Sequence, residues 1–448
     1  MAVTDPIVRD FIEELRWRGL LHQCTDEEGL RAHLADPAKQ PRRAYAGFDP
    51  TADSLTIGNL VPLMMLVHVA RAGHQPVVVM GGGTGLIGDP SGKSAERQLL
   101  SEERVRANVE AIRGIFERVF RHAGAPLPAI RNNLDWLGGL GYLEVLRDVG
   151  KHFSVNMMIQ KDSVRERLHA RDQGISYTEF SYMILQSYDY LKLFRDEGVT
   201  LQMGGSDQWG NIVAGGDLIP KVVGHGSTTF GLTAPLVTKA DGGKFGKTEC
   251  GAIWLTAEGE GACGTSSAAR TSVYAYYQFW LNASDADAER YLKIFTLLTR
   301  EEIDDLVRRQ GADPASRVAQ RALAQEATRL LHGPGAMERA EAAARALFSG
   351  EVSTLTPEDL ADVLADVPTS EHPIASLEGA GMALVDLLPL TSLAKSKREA
   401  REFLGSGSVL VNGRKAGVED VLRVDDLLHG TTIALRRGKK NWHVTHWA

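Results

Sequence analysis

The chain has 448 residues, 43% of them hydrophobic and 24% charged, which fits two to four globular domains. No run approaches the roughly eighteen apolar residues that suggest a membrane-spanning helix, and Cys24, Cys250 and Cys263 are too scattered for a disulfide framework or a zinc site. The net charge of −7 is uneven: from Thr391 onward eleven Lys and Arg face six Asp and Glu, a balance of +5 that leaves −12 on the rest and hints at a polyanion partner.

In chain order, the N-terminus MAVTDPIVRDFIEELRWRG has acids throughout and no apolar core before a cleavage site, so no signal peptide is expected and the protein is read as cytoplasmic. Residues 7–35 read as helices, the second capped by Thr25. From residue 44 short apolar runs alternate with amphipathic stretches. AYAGF is followed by LVPLMMLVHVARAG, PVVVM by a Gly-rich loop and SEERVRANVEAIRGIFERVF, and LQM by GGSDQWGNIVAGGDLI. That alternation predicts an α/β, doubly wound parallel sheet of Rossmann-like type, with ligands at the carboxyl ends of its strands. Residues 271–348 carry long helical patterns, and 350–385 read as a Pro-bearing connector. The last sixty or so residues read as a small α+β unit, with a basic helix LAKSKREAREFLGSG, a hairpin at Asn412-Gly413 and another turning at Gly438. The expected domains are 1–232, 233–348, a connector 349–385, and 386–448.

Two matches in PVVVMGGGTGLIGDPSGKS mislead. Gly83, Gly85 and Gly88 fit GxGxxG after a strand, but Asp89, Pro90, Ser91 and Gly92 follow at once where the dinucleotide fingerprint needs a helix to open. Gly92-Lys93-Ser94 ends like a P-loop, yet the leading position is Ile87, so the register fails by one residue.

Four segments gather the chemistry: YAGFDPTADSLTIGN (45–59), GGGTGLIGDPSGKSAER (81–97), YTEFSYMILQSYDYL (177–191) with LQMGGSDQWGN (201–211), and TKADGGKFGKTE (238–249). TIGN opens a helix, where free N–H groups and the helix dipole favour phosphate. Lys244 and Lys247 stand three apart in a Gly-rich stretch, so two ammonium groups can follow a departing pyrophosphate. Tyr182, Gln186 and Asp189, spaced four and three, share one helix face, and a buried Asp there is costly unless it binds something. Over nearly the whole chain these strings closely resemble bacterial tyrosyl-tRNA synthetase, a class I aminoacyl-tRNA synthetase, whose two signatures fall on TIGN (56–59) and KFGKT (244–248).

The resemblance implies a ligase that activates L-tyrosine with ATP and Mg2+ to tyrosyl-adenylate and transfers it to the terminal adenosine of tRNA(Tyr). It also implies a homodimer with no membrane association and no tightly bound metal or organic cofactor. It places the phenol hydroxyl of substrate tyrosine on Tyr45 and Asp189, and its α-ammonium on Asp89, Tyr182 and Gln186. Gln202 and Gln208 line the pocket, while Gly47, Asp49, Gly58, Gly205 and Asp207, with Lys247, meet the nucleotide. Thr51, Thr56, Asn59, Lys93, Arg97, Lys244 and Lys247 are expected around the phosphates and ribose. The helical region corresponds to the anticodon-region domain. The C-terminal unit resembles a small RNA-binding fold (S-four-like), with Lys395, Lys397, Arg398, Arg401, Arg436, Arg437, Lys439 and Lys440 as its candidate tRNA contacts. The chain departs from the family where the first signature begins with histidine and commonly ends in histidine. Thr56 and Asn59 stand there, and both can still hydrogen-bond.

Two rivals remain. Tryptophanyl-tRNA synthetase shares fold and signatures, but FDPTADSL and YMILQSYDYL favour tyrosine. A non-catalytic RNA-binding paralogue would not need the intact lysines of KFGKT. The Gly/Ser-rich stretch 259–271 reads as a flexible loop without assigned function.

Overall fold

A computed structural model describes residues 8, 10–90, 99–161, 164–165, 175–248, 251–257, 269–365, 367–438 and 441–448. Lys93, Arg97, Lys439, Lys440 and most of the 259–271 stretch lie outside the described residues, and only the backbone of Lys247 is described. The chain forms two compact units, Met1–Thr271 with Trp280–Leu331, and Ser272–Phe279 with His332–Ala448.

The first unit is built on a six-stranded sheet. Its strands are β1 (Gln23–Cys24), β2 (Arg43–Phe48), β3 (Gln75–Met80), β4 (Ala129–Asn132), β5 (Val199–Gly205) and β6 (Phe230–Ala234), in the order β1-β6-β5-β2-β3-β4. All neighbours are parallel except β1, which lies antiparallel on β6 at the edge. Val77 through Met80 are buried, as a strand covered on both faces requires. The order reverses between β2 and β5, which opens a crevice at their carboxyl ends.

The connections are helical. In chain order they are α1 (Phe11–Trp17), α2 (Glu27–Ala35), α3 (Leu60–Arg71), α4 (Glu102–His122), α5 (Tyr177–Glu197) and α6 (Trp209–Val223). Asp26, rather than Thr25, caps α2 by accepting from the Gly29 amide at 2.9 Å. Thr25 Oγ1 instead accepts from the Gly231 amide at 3.0 Å and fastens the sheet edge. Ser176 caps α5, and Gly198, at φ +65°, ends it in the left-handed conformation that glycine adopts without strain. A short hairpin follows, β7 (Lys247–Thr248) and β8 (Gly251–Ala252), then α7 (Val273–Leu281), α8 (Asp285–Phe295), α9 (Arg300–Ala312) and α10 (Val318–His332). Arg18, buried just past α1, donates to the carbonyls of Lys293, Thr296 and Leu298 at 2.8–2.9 Å and so ties α1 to the end of α8.

The second unit contains α11 (Pro334–Ser349), β9 (Thr369–His372), β10 (Met382–Ala383), α12 (Lys397–Gly405), β11 (Val409–Val411), β12 (Arg414–Lys415), β13 (Val421–Leu422), β14 (Thr432–Arg437) and β15 (Asn441–Trp447). Its main sheet runs β12-β11-β14-β15-β9. Asn412 (φ +48°) and Gly413 (φ +89°) turn the expected hairpin with two left-handed residues. The division differs from the domains expected from sequence. Ala343 and Ala346 of α11 pack with Val352, Leu360 and Trp442, and β9 lies parallel to β15, so the stretch read as a connector supplies core and an edge strand to the C-terminal unit.

Candidate active site

The loops leaving β2, β3 and β5 meet over the crevice. After β2 the chain reaches Thr56 and a single 3-10 turn, Ile57–Asn59, that runs into α3. The Thr56 amide and hydroxyl both donate to Asn59 Oδ1, at 3.1 and 3.0 Å. The two residues that depart from the family motif therefore clasp each other, and each is half-buried beside exposed Gly58. Gly47 is exposed too, and a Cβ there would find no atom nearer than Val79 O at 4.0 Å, so nothing in the chain itself demands glycine. Exposed Thr51 borders a cleft of about 170 Å³ lined also by Asp49, Gly85, Ile87 and Gly88.

Beneath this opening runs a polar chain. Asp189 on α5 is 4% exposed and accepts from Trp136 Nε1 at 2.7 Å and Asn133 Nδ2 at 2.9 Å. Asn133 Nδ2 also donates to Thr84 Oγ1 at 3.0 Å, and its Oδ1 accepts from the Gly83 amide at 2.7 Å. Thr84 Oγ1 donates to Asp49 Oδ1 at 2.8 Å, and Tyr182 Oη donates to Asp49 Oδ2 at 3.0 Å. Burial pushes the Asp189 carboxyl up to about 7, although the two donors pull the other way. Burial, with Asp189 nearby, also holds the Tyr45 phenol well above its ordinary value. Tyr45, 2% exposed on β2, keeps a neutral hydroxyl with no partner among the described residues, its ring 5.4 Å from that of Tyr190.

This chain explains the triple glycine. A Cβ on Gly81 would stand 2.0 Å from Asp49 Oδ1, and one on Gly82 2.1 Å from Asn132 Oδ1. The loop after β3 is bare so that neighbouring strand ends can bring their polar side chains across it. Only a 3-10 turn, Thr84–Leu86, follows the glycines, and among the described residues the next α-helix, α4, begins at Glu102.

A second polar group lies on the β5 side. Gln208 Nε2 donates to Asp89 Oδ2 at 2.6 Å, and Asn211 Nδ2 bridges Gln186 Oε1 (3.1 Å) and Gln208 Oε1 (3.3 Å). Gln202 on β5 is buried, and its Oε1 has no partner among the described residues. Asp207 is exposed at the rim, and Gly205 leaves it room, since a Cβ there would lie 2.5 Å from Asp207 Oδ1.

The KFGKT loop reaches the same place. Gly246, at φ +74°, approaches so closely that a Cβ would stand 2.3 Å from Ile57 Cγ2. Ile253 stitches the two signatures together, donating to Gly246 O at 3.0 Å and accepting from the Ile57 amide at 2.9 Å. Lys244 is exposed, and Lys247 opens β7. Among the described residues no group of three or more His, Cys, Asp or Glu is arranged to hold a metal ion.

In the C-terminal unit Lys395, Lys397, Arg398 and Arg401 are exposed, Lys397 pairing with Asp386 at 2.7 Å. Arg436 corrects the expectation from sequence. It is 8% exposed, donates to the Leu347 and Phe348 carbonyls at 3.3 and 3.2 Å, and lies over Trp442. Arg437 is half-committed, donating to Leu393 O at 2.6 Å and stacking on Phe403. Successive residues of β14 face opposite sides of the sheet, Arg436 toward α11 and Arg437 toward Phe403 of α12, and both sides are covered.

A profile of class I tRNA synthetases (W and Y) matches residues 37–349, and one of the SYY-like C-terminal domain of tyrosine–tRNA ligases matches residues 359–445. The tyrosine–tRNA ligase of Geobacillus kaustophilus is 48% identical over 441 residues, 98% of this chain and 100% of that protein. The chain belongs to the tyrosine–tRNA ligase family. Tyrosine–tRNA ligase 1 of Bacillus subtilis is 47% identical over 97% of this chain and 98% of its own. A C-terminally truncated mitochondrial tyrosyl-tRNA synthetase of Aspergillus nidulans superposes with a TM-score of 0.66 at 30% identity, over 76% of this chain and 95% of that one. A tryptophanyl-tRNA synthetase of Encephalitozoon cuniculi, 15% identical with a TM-score of 0.51 over 78% of this chain and 90% of that one, shares the fold.

Four residues of the ligase cleft escaped the sequence reading: Thr84, Asn133, Trp136 and Asn211. Asn133 and Trp136 lie in NNLDW, just past β4, and the one available signal was their place at the carboxyl end of a parallel strand. Asn211 sits three residues beyond Gln208 on the first turn of α6, where the spacing alone puts both on one face.

Proposed function

We propose that the protein activates L-tyrosine with ATP and esterifies it to the 3′-terminal adenosine of tRNA(Tyr). The tyrosine carboxylate oxygen attacks the α-phosphorus of ATP. The new P–O bond gives tyrosyl-adenylate as the α–β bridging bond breaks and pyrophosphate leaves with its electrons. A ribose hydroxyl of the terminal adenosine then attacks the carbonyl, loses its proton, and releases AMP. The attacking carboxylate is already ionised, so the first step needs no general base, and positioning with charge stabilisation supplies the rate.

Asp189 and Tyr45 receive the phenol hydroxyl. Asp89, Tyr182 and Gln186 hold the α-ammonium, while Gln202 and Gln208 close the pocket. The observation that carries this reading is the buried pair of Asp189, bonded at both oxygens, and Tyr45, with an unmatched hydroxyl at the bottom of the crevice. Phenylalanine would leave the buried Tyr45 hydroxyl unmatched and would offer Asp189 no further donor, which is the basis of its rejection. ATP lies over Gly47 and Gly58 toward Gly205 and Asp207, and Asn59 meets its ribose. Its phosphates run past Thr51, Thr56, Lys93 and Arg97 to Lys244 and Lys247. Mg2+ enters with ATP and neutralises phosphate charge; no residue of this chain is assigned to it. Lys395, Lys397, Arg398 and Arg401 contact tRNA phosphate.

The protein works as a homodimer in the cytoplasm. Tyr142, Leu143, Met157 and Tyr177 are 61–79% exposed, with the Tyr142 and Tyr177 hydroxyls 3.5 Å apart, and a second copy would cover this apolar face. Among the described residues no helix is long and apolar enough to cross a membrane. Charging of a tRNA pool with labelled amino acids tests the function. Tyrosine alone, esterified to tRNA(Tyr), is the expected product, and tryptophan on its own tRNA would overturn it.

A further inference from the structure

Between Lys244 and Lys247 stands Phe245, a residue with no phosphate to meet. Its ring stacks on that of Phe295 at 5.1 Å and 9°, and reaches Tyr291 at 5.2 Å and Trp280 at 6.0 Å. Those three rings pack on one another at 4.9–6.1 Å, and Trp280 and Phe295 are almost wholly buried. The loop thus inserts its middle residue into a rigid aromatic socket on α7 and α8. The start of the loop is held by α8 as well. The Ala240 amide donates to Asp287 Oδ1 at 3.0 Å, Arg290 and the Tyr291 hydroxyl both donate to Thr238 O, and Asp287 is fixed by Ser284 Oγ at 2.7 Å and Arg290 at 2.9 Å. The residue after Phe245 is Gly246, pressed against Ile57 of the first signature.

We propose that Phe245 is a positioning residue for the ATP-dependent step. Seated in the Trp280–Tyr291–Phe295 socket, it sets the register of the loop so that the flanking ammonium groups of Lys244 and Lys247 are carried to the phosphates, with α8 as the platform. Phe245 is half-buried while its socket is closed, so removing its ring leaves the core standing and frees the loop. A loop free to slide holds its lysines away from the charge that develops on the departing pyrophosphate. Because the tyrosine pocket is built on β2 and α5, it does not sense the change. The inference rests on the function proposed above.

The test compares full-length wild type, Phe245→Ala and Phe245→Tyr. Tyrosine-dependent ATP–pyrophosphate exchange gives kcat and the ATP KM, and equilibrium dialysis gives tyrosine affinity. Phe245→Ala is expected to lose about 10- to 100-fold in kcat/KM for ATP with tyrosine affinity within about twofold, and Phe245→Tyr, which keeps the stack, to recover most of the loss. A Phe245→Ala rate within about twofold of wild type, or a parallel loss of tyrosine binding, overturns the proposal. The wild-type exchange reports on the assignment of tyrosine, and the ratio of variant to wild type reports on Phe245, so the two can fail separately.

Discussion

Trp136→Phe gives the sharpest perturbation of the tyrosine pocket. The indole N–H lies 2.7 Å from Asp189 Oδ1, and the ring packs against the cluster of Tyr45, Tyr190 and Leu191. Phenylalanine keeps an aromatic ring there and deletes the donor. A hydrogen bond to a charged group is worth about 1.5–3 kcal/mol, equivalent to about one to two pH units in the midpoint of the group it stabilises. The Asp189 carboxyl titrates at about 7, so about half of it is ionised at neutral pH. Raising the midpoint by that amount leaves between about a tenth and a hundredth ionised. The sign follows: the substrate phenol donates to the carboxylate, so wild-type tyrosine affinity climbs as pH rises through about 7. In Trp136→Phe the same climb moves to about pH 8–9. At pH 7 the variant binds tyrosine about 5- to 50-fold more weakly, and by pH 9 it regains most of the difference. Tyrosine dissociation constants by equilibrium dialysis from pH 6 to 9.5 measure this, with Asp189→Asn as the control that flattens the profile. An equal loss at every pH, or an unmoved midpoint, would refute the reasoning, because the indole would then contribute shape alone.

Other outcomes follow from the same geometry. Thr56→Val should slow single-turnover adenylate formation by about tenfold or more with tyrosine affinity unchanged. Because Thr56 donates to Asn59 Oδ1, Thr56→Val and Asn59→Ala should be markedly less than additive in a double-mutant cycle. Gly47→Ala, whose new methyl meets only Val79 O at 4.0 Å, an ordinary contact, should leave the melting temperature unchanged and raise the ATP KM; an unchanged KM would mean the nucleotide lies elsewhere. Arg401→Ala should weaken tRNA binding and lower the salt slope by about one. Arg436→Ala should instead lower the melting temperature, because it uncaps the Leu347 and Phe348 carbonyls; the reverse pattern would restore Arg436 as a phosphate contact. Tyr177→Asp should shift the protein toward monomer in sedimentation, and an unshifted peak would remove that face from the interface.

Half of the sheet was legible, because β2, β3 and β5 hold the apolar runs AYAGF, PVVVM and LQM and the helices carry period and caps, whereas Gln23–Cys24, Ala129–Asn132 and Phe230–Ala234 were not read as strands. AYAGF and PVVVM became β2 and β3 with little change. The second unit was half legible. Asn412-Gly413 announces its turn by chemistry, whereas Thr369–His372, polar and between prolines, becomes a strand only because β15 offers it an edge. In the cleft, residues within signature strings could be named from sequence. Asn133 and Trp136 could not, because their part depends on a carboxylate, Asp189, delivered by a distant helix, and Asn211, although within LQMGGSDQWGN, takes its part only by meeting Gln186 of that helix. The triple glycine illustrates the limit: its sequence invites a dinucleotide, and only the packed structure reveals Asp49 and Asn132 occupying the space. Arg436 errs the other way, since alternation along a hairpin does not tell which face meets α11.

The central claim is that this cleft makes tyrosyl-adenylate. Pyrophosphate exchange into ATP, measured without tRNA for tyrosine, phenylalanine and tryptophan separately, tests it most directly. The account predicts exchange that depends on tyrosine, is barely detectable with phenylalanine, and is lost in Asp189→Ala; exchange driven by tryptophan, or none with any of the three, would contradict it.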